Sequence, residues 1–320
     1  MDERFTIIGD PHVKNSNLDL ARDLFALVEK KGLPAIWLGD LLDTKEVIRG
    51  KSLNTWIDYF KSSKLQHFVL VGNHDWFNLD CKEHSLEPLK LIPNVEVIDT
   101  PRWTPGGIGF LPYIHDKGQL KELLTKMEQG YVKVLFGHLE LESFDFGNGY
   151  ICKEGLGVKD FSKFSRVISG HFHKYQEKDN VTYLGTPFSH SFGEANQVKY
   201  IAEYNATTDD LQLTETPFRK HVSYEINCDA NQPLDLETDR SNLHRVILTG
   251  SQENIDKFPR EAYNDFSIKW ITRPSDYSIN DTTIEDTASN EVQFEKWARE
   301  VQKLDDYTIK LGLELLKVSR

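Results

Sequence analysis

The sequence predicts an α/β protein with a smaller α+β appendage, and three observations predict it. Short apolar runs ending in glycine recur through the first 194 residues, helix-like stretches separate them, and the texture changes after Glu194. Short apolar runs mark strands buried on both faces. Their alternation with helices points to sheet sandwiched between other layers.

Residues 5–9, 35–39, 68–72 and 132–137 read as buried strands. Between the first two, Leu18, Ala21, Leu24, Phe25 and Val28 recur at helical spacing over 18–31, and 51–62 is a second helix-like stretch. Residues 95–99, 108–113, 166–169 and 181–184 predict further strands. Beyond 194, strands are predicted at 198–204, 221–226, 246–248 and 266–271, with a helix over 254–263. A polar stretch rich in Asp, Thr and Ser then reads as a linker. After it Phe294, Trp297, Ala298, Val301 and Leu304 return at helical spacing, and Asp305-Asp306 breaks that helix and starts another over 307–318. The expected layout is therefore a main domain at 1–194, a small α+β domain at 195–273, a linker at 274–289 and a helical module at 290–320.

Composition narrows the function classes. The 320 residues are 39% hydrophobic and 28% charged, as in an ordinary globular protein long enough for more than one domain. No apolar run approaches the roughly 18 residues of a membrane span. The opening MDERFTIIGD goes straight into a strand-like run and does not read as a signal peptide. Cys81, Cys152 and Cys228 are odd in number with no CxxC pair, which fits the reducing cytoplasm and argues against thiolate-bound zinc. A net charge of -12 repels nucleic acid at long range, so a DNA-binding role needs a local basic face or a partner that supplies affinity. Carboxylates that hold metal ions would soften that repulsion once loaded.

Each of several strand-like runs ends in glycine followed by a metal-capable side chain. They read Gly9-Asp10-Pro11-His12, Gly39-Asp40-Leu41-Leu42-Asp43, Gly72-Asn73-His74-Asp75, Gly137-His138 and Gly170-His171-Phe172-His173. Ligands bind beyond the C-terminal ends of strands in α/β sheets, and glycine there permits a tight turn and close backbone approach. Converging turns would gather Asp, His and Asn, a donor set suited to two divalent ions, manganese first and magnesium second. A lone Gly-His or Gly-Asp means little; the ordered series is what carries the reading.

The set resembles the calcineurin-like metallophosphoesterase superfamily, whose motifs run GDxH, GDxxD, GNH(D/E), GH and GHxH in that order. The resemblance implies a four-layer α/β/β/α sandwich with a small cap domain and a C-terminal helical module. It implies a first metal held by Asp10, His12, Asp40 and His173, and a second by Asp40, Asn73, His138 and His171. His74 would be the catalytic non-ligand histidine, and Asp43 the carboxylate that orients it, although Asp43 also fits a helix N-cap.

A narrower resemblance lies in 183–194, YLGTPFSHSFGE, which is similar to the YxGSPxxxSFGE run of the SbcCD-type double-strand-break repair nucleases. Thr186 replaces the usual Ser, and His190 has no assigned role in that pattern. General phosphatases of the superfamily tend to carry GDxxDRG and GNHE, whereas this chain has GDLLDTK and Asp75. The compact length, without a long C-terminal tail, points to a phage recombination endonuclease subunit. What this implies is 3′-to-5′ duplex exonuclease and single-strand endonuclease activity in recombination, repair or replication.

The same resemblance implies partners. An SMC-like ATPase would bind the stripe Phe294, Trp297, Val301 and Leu304, and would use the ATP, since no GxxxxGK(S/T) loop occurs here. A homodimer would form near 80–92 through Cys81, Leu86, Leu89 and Leu91. Arg219, Lys220, His221, Arg240, His244 and Arg245 could give the small domain a DNA-facing positive surface. Two alternatives remain at this stage: a phosphoesterase for small nucleotides or phosphoproteins, and a non-catalytic scaffold of the same fold.

Overall fold

Residues 3–45, 47–147, 149–230, 234–236, 240–275, 298–299, 305 and 308–310 are described by the structure, a computed structural model. The chain divides into two compact units: Met1–Ser223 with Glu237–Arg245 and Asp265–Ser267, and Tyr224–Leu236 with Val246–Asn264 and Ile268–Arg320.

In the first unit, β1 (Arg4–Ile8), β2 (Ala35–Trp37), β3 (His67–Leu70) and β4 (Val95–Ile98) pair in parallel, with Ile7 beside Ile36 and Ile36 beside Phe68. Helices α1 (Leu18–Lys31) and α2 (Gly50–Ser62) make the first two crossovers. Gly32 ends α1 in a left-handed conformation, φ 66°, and donates its N–H to the Glu29 carbonyl. A second sheet contains β5 (Arg102–Trp103), β6 (Ile108–Leu111), β7 (Val134–His138), β8 (Arg166–Gly170), β9 (Gln176–Lys178) and β10 (Val181–Tyr183). Its order is β5-β6-β7-β8-β10-β9, parallel inside and antiparallel at both edges. Helix α3 (Lys117–Gln129) joins β6 to β7 and is opened by Asp116, whose carboxylate accepts from Gln119 N–H.

Three cores stack these elements into layers. Ile7, Ile36, Leu38 and Leu70 of the first sheet meet Phe110, Phe136 and Ile168 of the second. On the outer side of the first sheet, Trp37 and Val69 pack under Phe25 of α1 and Trp56, Tyr59 and Phe60 of α2. On the outer side of the second, Leu135 and Val167 pack under Leu120, Leu124 and Met127 of α3. The result is the predicted four-layer α/β/β/α sandwich.

The first sheet is completed from beyond the expected boundary. β11 (Tyr200–Asn205) runs antiparallel to β1, and β12 (Asp210–Glu215) runs antiparallel to β11. Ile201, Ala202 and Tyr204 are buried, and β11 covers what would otherwise be an open edge at β1. The first unit thus continues to Ser223, past the division expected at 194.

The second unit takes the greater part of a three-stranded sheet of β13 (His221–Asn227), β14 (Leu243–Gly250) and β15 (Ile268–Pro274), in that order. Its core is Ile226, Leu234, Val246, Leu248 and Ile255, with Trp270 alongside. The helix expected over 254–263 is two pieces, α4 (Gln252–Asp256) and a 3₁₀ turn at Arg260–Tyr263. Pro259 lies between them, and a proline ends a helix at or before its own position because it lacks an N–H. Most of the expected linker and both C-terminal helices lie outside the described residues. Among those described there, Asp305 Oδ1 accepts from Thr308 N–H at 2.9 Å, and residues 308–310 are helical.

Candidate metal centre

The glycine-ended turns lie at the C-terminal ends of β1, β2, β3, β7 and β8, and they converge. A side chain on Gly72 would meet Asp40 Oδ1 at 2.2 Å and Asp40 N at 2.4 Å, so only glycine lets the turn after β3 lie against Asp40. A side chain on Gly170 would meet Asp10 Oδ1 at 2.7 Å. The price of this crowding is backbone strain: His12, Asp40 and His171 hold φ of 40°, 50° and 94°. Cross-turn bonds hold them there. His12 N–H donates to the Asp40 carbonyl at 3.0 Å, His74 N–H to Asp40 Oδ1 at 2.7 Å and His171 N–H to Asp10 Oδ1 at 3.0 Å.

The seven side chains picked out by spacing lie in one cluster. His12 Nε2 lies 3.1 Å from His173 Nε2 and 3.4 Å from Asp40 Oδ2. Asn73 Oδ1 lies 2.8 Å from both His138 Nε2 and His171 Nδ1. His138 Nε2 is 3.6 Å from Asp40 Oδ2, and His138 Nδ1 is 3.4 Å from Asp10 Oδ1. Asp40 is shared between two groups whose ligand atoms fall within 4.8 Å of one another, His12–Asp40–His74 and Asp10–Asp40–His138.

Tautomers decide whether this set suits cations. His138 Nδ1–H donates to the Leu38 carbonyl at 2.8 Å, so the neutral ring presents a lone pair at Nε2, toward Asn73 Oδ1. His173 Nδ1–H donates to Glu194 Oε1 at 2.8 Å, so its Nε2 also carries a lone pair, toward His12. His138 Nε2 and Asn73 Oδ1 therefore face each other as acceptors, which is unfavourable until a cation lies between them. The titration behaviour points the same way. Burial raises the Asp10 carboxyl to about 6, against the pull of His173. Burial, then the charges of Asp10 and Asp75, raise Asp40 well above the carboxylate range. Burial and neighbouring imidazoles lower His12 and His138. The residues fit divalent ions.

His74 lies with its ring centroid 4.8 Å from that of His12, and its tie to Asp43 differs from the expected one. His74 Nδ1–H donates to the Asp43 main-chain carbonyl at 3.0 Å, while the Asp43 carboxylate pairs with Lys14 Nζ at 3.0 Å. The expected carboxylate-to-imidazole contact is therefore replaced by a backbone one, because Lys14 draws the side chain away. Burial lowers the His74 pKa below its ordinary value.

Several supporting residues escaped the sequence reading. Asp75 is buried and accepts from the N–H groups of Gly72, Leu42 and Leu41, which joins the turns after β2 and β3. Glu140 Oε2 lies 3.5 Å from His171 Nε2. Glu194 closes the 183–194 run and faces His173; burial pushes its carboxyl up, but the His173 bond and the Lys199 charge together hold it well below its usual range. Position 194 was quoted in the sequence as part of a pattern, and only the fold gives it a contact.

Other expected surfaces are less open than the sequence suggests. Lys220 pairs with Glu215 at 2.7 Å, Arg219 lies 3.5 Å from Asp19, and Arg240 lies 3.5 Å from Asp265. Arg245 packs over the Phe192 ring and donates to Ser223 Oγ, His221 exchanges bonds with Ser189, and His244 is buried. Near 80–92, Leu86 and Leu89 face the chain's own core in a 3₁₀ turn at Glu87–Leu91, which leaves Leu79 and Leu91 exposed. No helix among the described residues is long and apolar enough to cross a membrane.

Comparison with known proteins agrees with the geometry. The 078R protein of Invertebrate iridescent virus 3 is 27% identical over 301 residues, covering 84% of each chain. Exonuclease subunit 1 of Enterobacteria phage T4 is 26% identical over 264 residues, covering 79% of this chain and 76% of its own. A solved archaeal phosphodiesterase covers 66% of this chain and 99% of its own at 16% identity, with a TM-score of 0.37. The family model for calcineurin-like phosphoesterases matches residues 3–175, which hold every turn of the cluster, and the chain belongs to that family.

Proposed function

We propose that this chain is a two-metal DNA phosphodiesterase, a 3′-to-5′ exonuclease on duplex ends and an endonuclease on single strands, working beside an SMC-like ATPase. The observation that carries the metal half is a pair of facing acceptors, His138 Nε2 and Asn73 Oδ1 at 2.8 Å, set beside the His173 Nε2 lone pair 3.1 Å from His12. The DNA half draws support from the 183–194 run and from similarity to a phage protein named as an exonuclease subunit. That name also supports an assembly partner; the apolar stripe expected to bind it lies outside the described residues.

In this reading Asp10, His12, Asp40 and His173 hold one ion and Asp40, Asn73, His138 and His171 the other, with manganese favoured by the imidazole, carboxylate and amide donors. What such a pair supplies is a more acidic water and positive charge beside the phosphoryl oxygens. The chain's own residues do the rest. Asp40 reaches both halves of the cluster, and its Oδ1 is held by His74 N–H. His74, fixed through Nδ1, keeps Nε2 as the ring atom that carries a proton to or from the leaving oxygen.

A second reading, hydrolysis of small phosphodiesters, is favoured by one observation: Arg219, Lys220 and Arg240 are already near acids. Labelled linear duplex and bis(p-nitrophenyl) phosphate, each with manganese, separate the two, with and without the ATPase partner. We expect duplex degradation that weakens with salt. Turnover of the chromogenic ester with intact DNA in every condition would sink the nuclease reading and leave the phosphoesterase.

A further inference from the structure

We propose that Glu194 is a positioning residue that fixes the tautomer of His173 and so sets the affinity of the first metal position; this rests on reading His173 as a ligand. The Glu194 side chain is 8% exposed, yet all its hydrogen-bonding capacity is directed. Oε1 accepts from His173 Nδ1 at 2.8 Å. Oε2 accepts from Lys199 Nζ at 2.8 Å, from Thr186 Oγ at 3.1 Å and from His190 N–H at 3.3 Å.

The same neighbours also grip the His173 backbone. Its carbonyl accepts from Lys199 Nζ at 2.9 Å and from Thr186 N–H at 3.1 Å. Ring and main chain are thus clamped by one network, and Ser191 opens the short turn that carries Glu194 by accepting from Gly193 N–H. A carboxylate bound to one imidazole nitrogen keeps the proton there and leaves the other nitrogen free to ligate. An ionised Glu194 can only accept, so Nδ1 must donate, and Nε2 must turn its lone pair toward His12.

This gives the 183–194 run a physical task. Thr186 and Glu194 brace a ligand, and Gly185, at φ 78°, lies so close to Gly9 that a side chain on Gly9 would meet the Gly185 carbonyl at 1.8 Å. Lys199 lies outside the run and completes it, because a buried carboxylate without a cation is costly.

The test uses the full chain. Long-range proton–nitrogen correlation on the metal-free, ¹⁵N-labelled protein reads the His173 tautomer, and manganese titration followed by electron paramagnetic resonance reads affinity. The parent should show the Nδ1–H form alone. Glu194→Gln should mix the two forms and weaken one of the two manganese sites by roughly 10- to 100-fold. Because that variant strands the Lys199 ammonium, the charge-balanced Glu194→Gln/Lys199→Met chain guards against simple misfolding and should behave alike. A folded variant with pure Nδ1–H and parental manganese affinity overturns the proposal. A parent that binds manganese, loses affinity on Glu194→Gln, and never cuts DNA supports this inference and refutes the nuclease reading alone.

Discussion

The His74 ring is steered by a main-chain atom, the Asp43 carbonyl at 3.0 Å, so its orientation survives loss of the Asp43 side chain. His74→Ala should lower turnover of a chromogenic phosphodiester by about 10²–10⁴, the usual weight of a proton-transfer group, and leave manganese bound. Asp43→Ala keeps the carbonyl and frees Lys14, so its turnover should fall less than about tenfold in the same assay. Equal losses in the two variants would restore the Asp43 carboxylate to the machinery. The candidate ligands were readable from the sequence because each sits beside a glycine at a strand end, a local signal. The roles of Asp75 and Glu194 were not, since the contacts that define them, to Leu41 and Leu42 and to His173, span 34, 33 and 21 positions and only the fold joins them.

Among the elements, β3 begins with a buried histidine that offers a test of the first helical layer. His67 Nδ1 accepts from Trp37 Nε1 at 3.3 Å, so Nε2–H donates to Ser63 Oγ at 2.8 Å. Burial lowers its pKa from 6.5 to about 4. The unfolded chain therefore binds this proton more readily, and the stability His67 contributes is full above pH 6.5 and drains away as pH falls toward 4. Urea unfolding at pH 7.5 and 4.5 should show the parent losing on the order of 2 kcal/mol more than His67→Gln across that span. Identical pH profiles would mean that folding leaves the His67 pKa unshifted. The strands and first two helices of this layer were legible as runs of Ile, Val, Leu and Trp. Helix α3 went unpredicted although Leu120, Leu124 and Met127 recur at helical spacing between the Asp116 cap and Gly130; they are set among Lys, Glu and Gln, which dilutes the apolar stripe. Edge strand β12, mostly exposed, carries little apolar pattern to read.

At the scale of the molecule, the net charge is -12 and Arg219, Lys220 and Arg240 lie near acids, so a loaded metal centre would add positive charge where a phosphate chain needs it. The two sheets share its making. Asp10, His12, Asp40 and Asn73 follow strands of the first sheet, and His138, His171 and His173 belong to the second. Ions that bind only the folded chain stabilise it by mass action, about 2.7 kcal/mol for one site at a hundredfold excess over Kd. Differential scanning calorimetry should show the melting temperature rise with manganese and fall back with chelator; an unchanged transition would mean that the ions do not bridge the sheets.

The shared centre also makes the ion an inspector of the finished product. Each proposed position draws donors from both halves of the sandwich, so a chain whose halves have closed askew should hold its ions less tightly and lose more of them on a desalting column. Metal content per chain then becomes a direct assay for the properly assembled fraction of any preparation, read before a substrate is ever added.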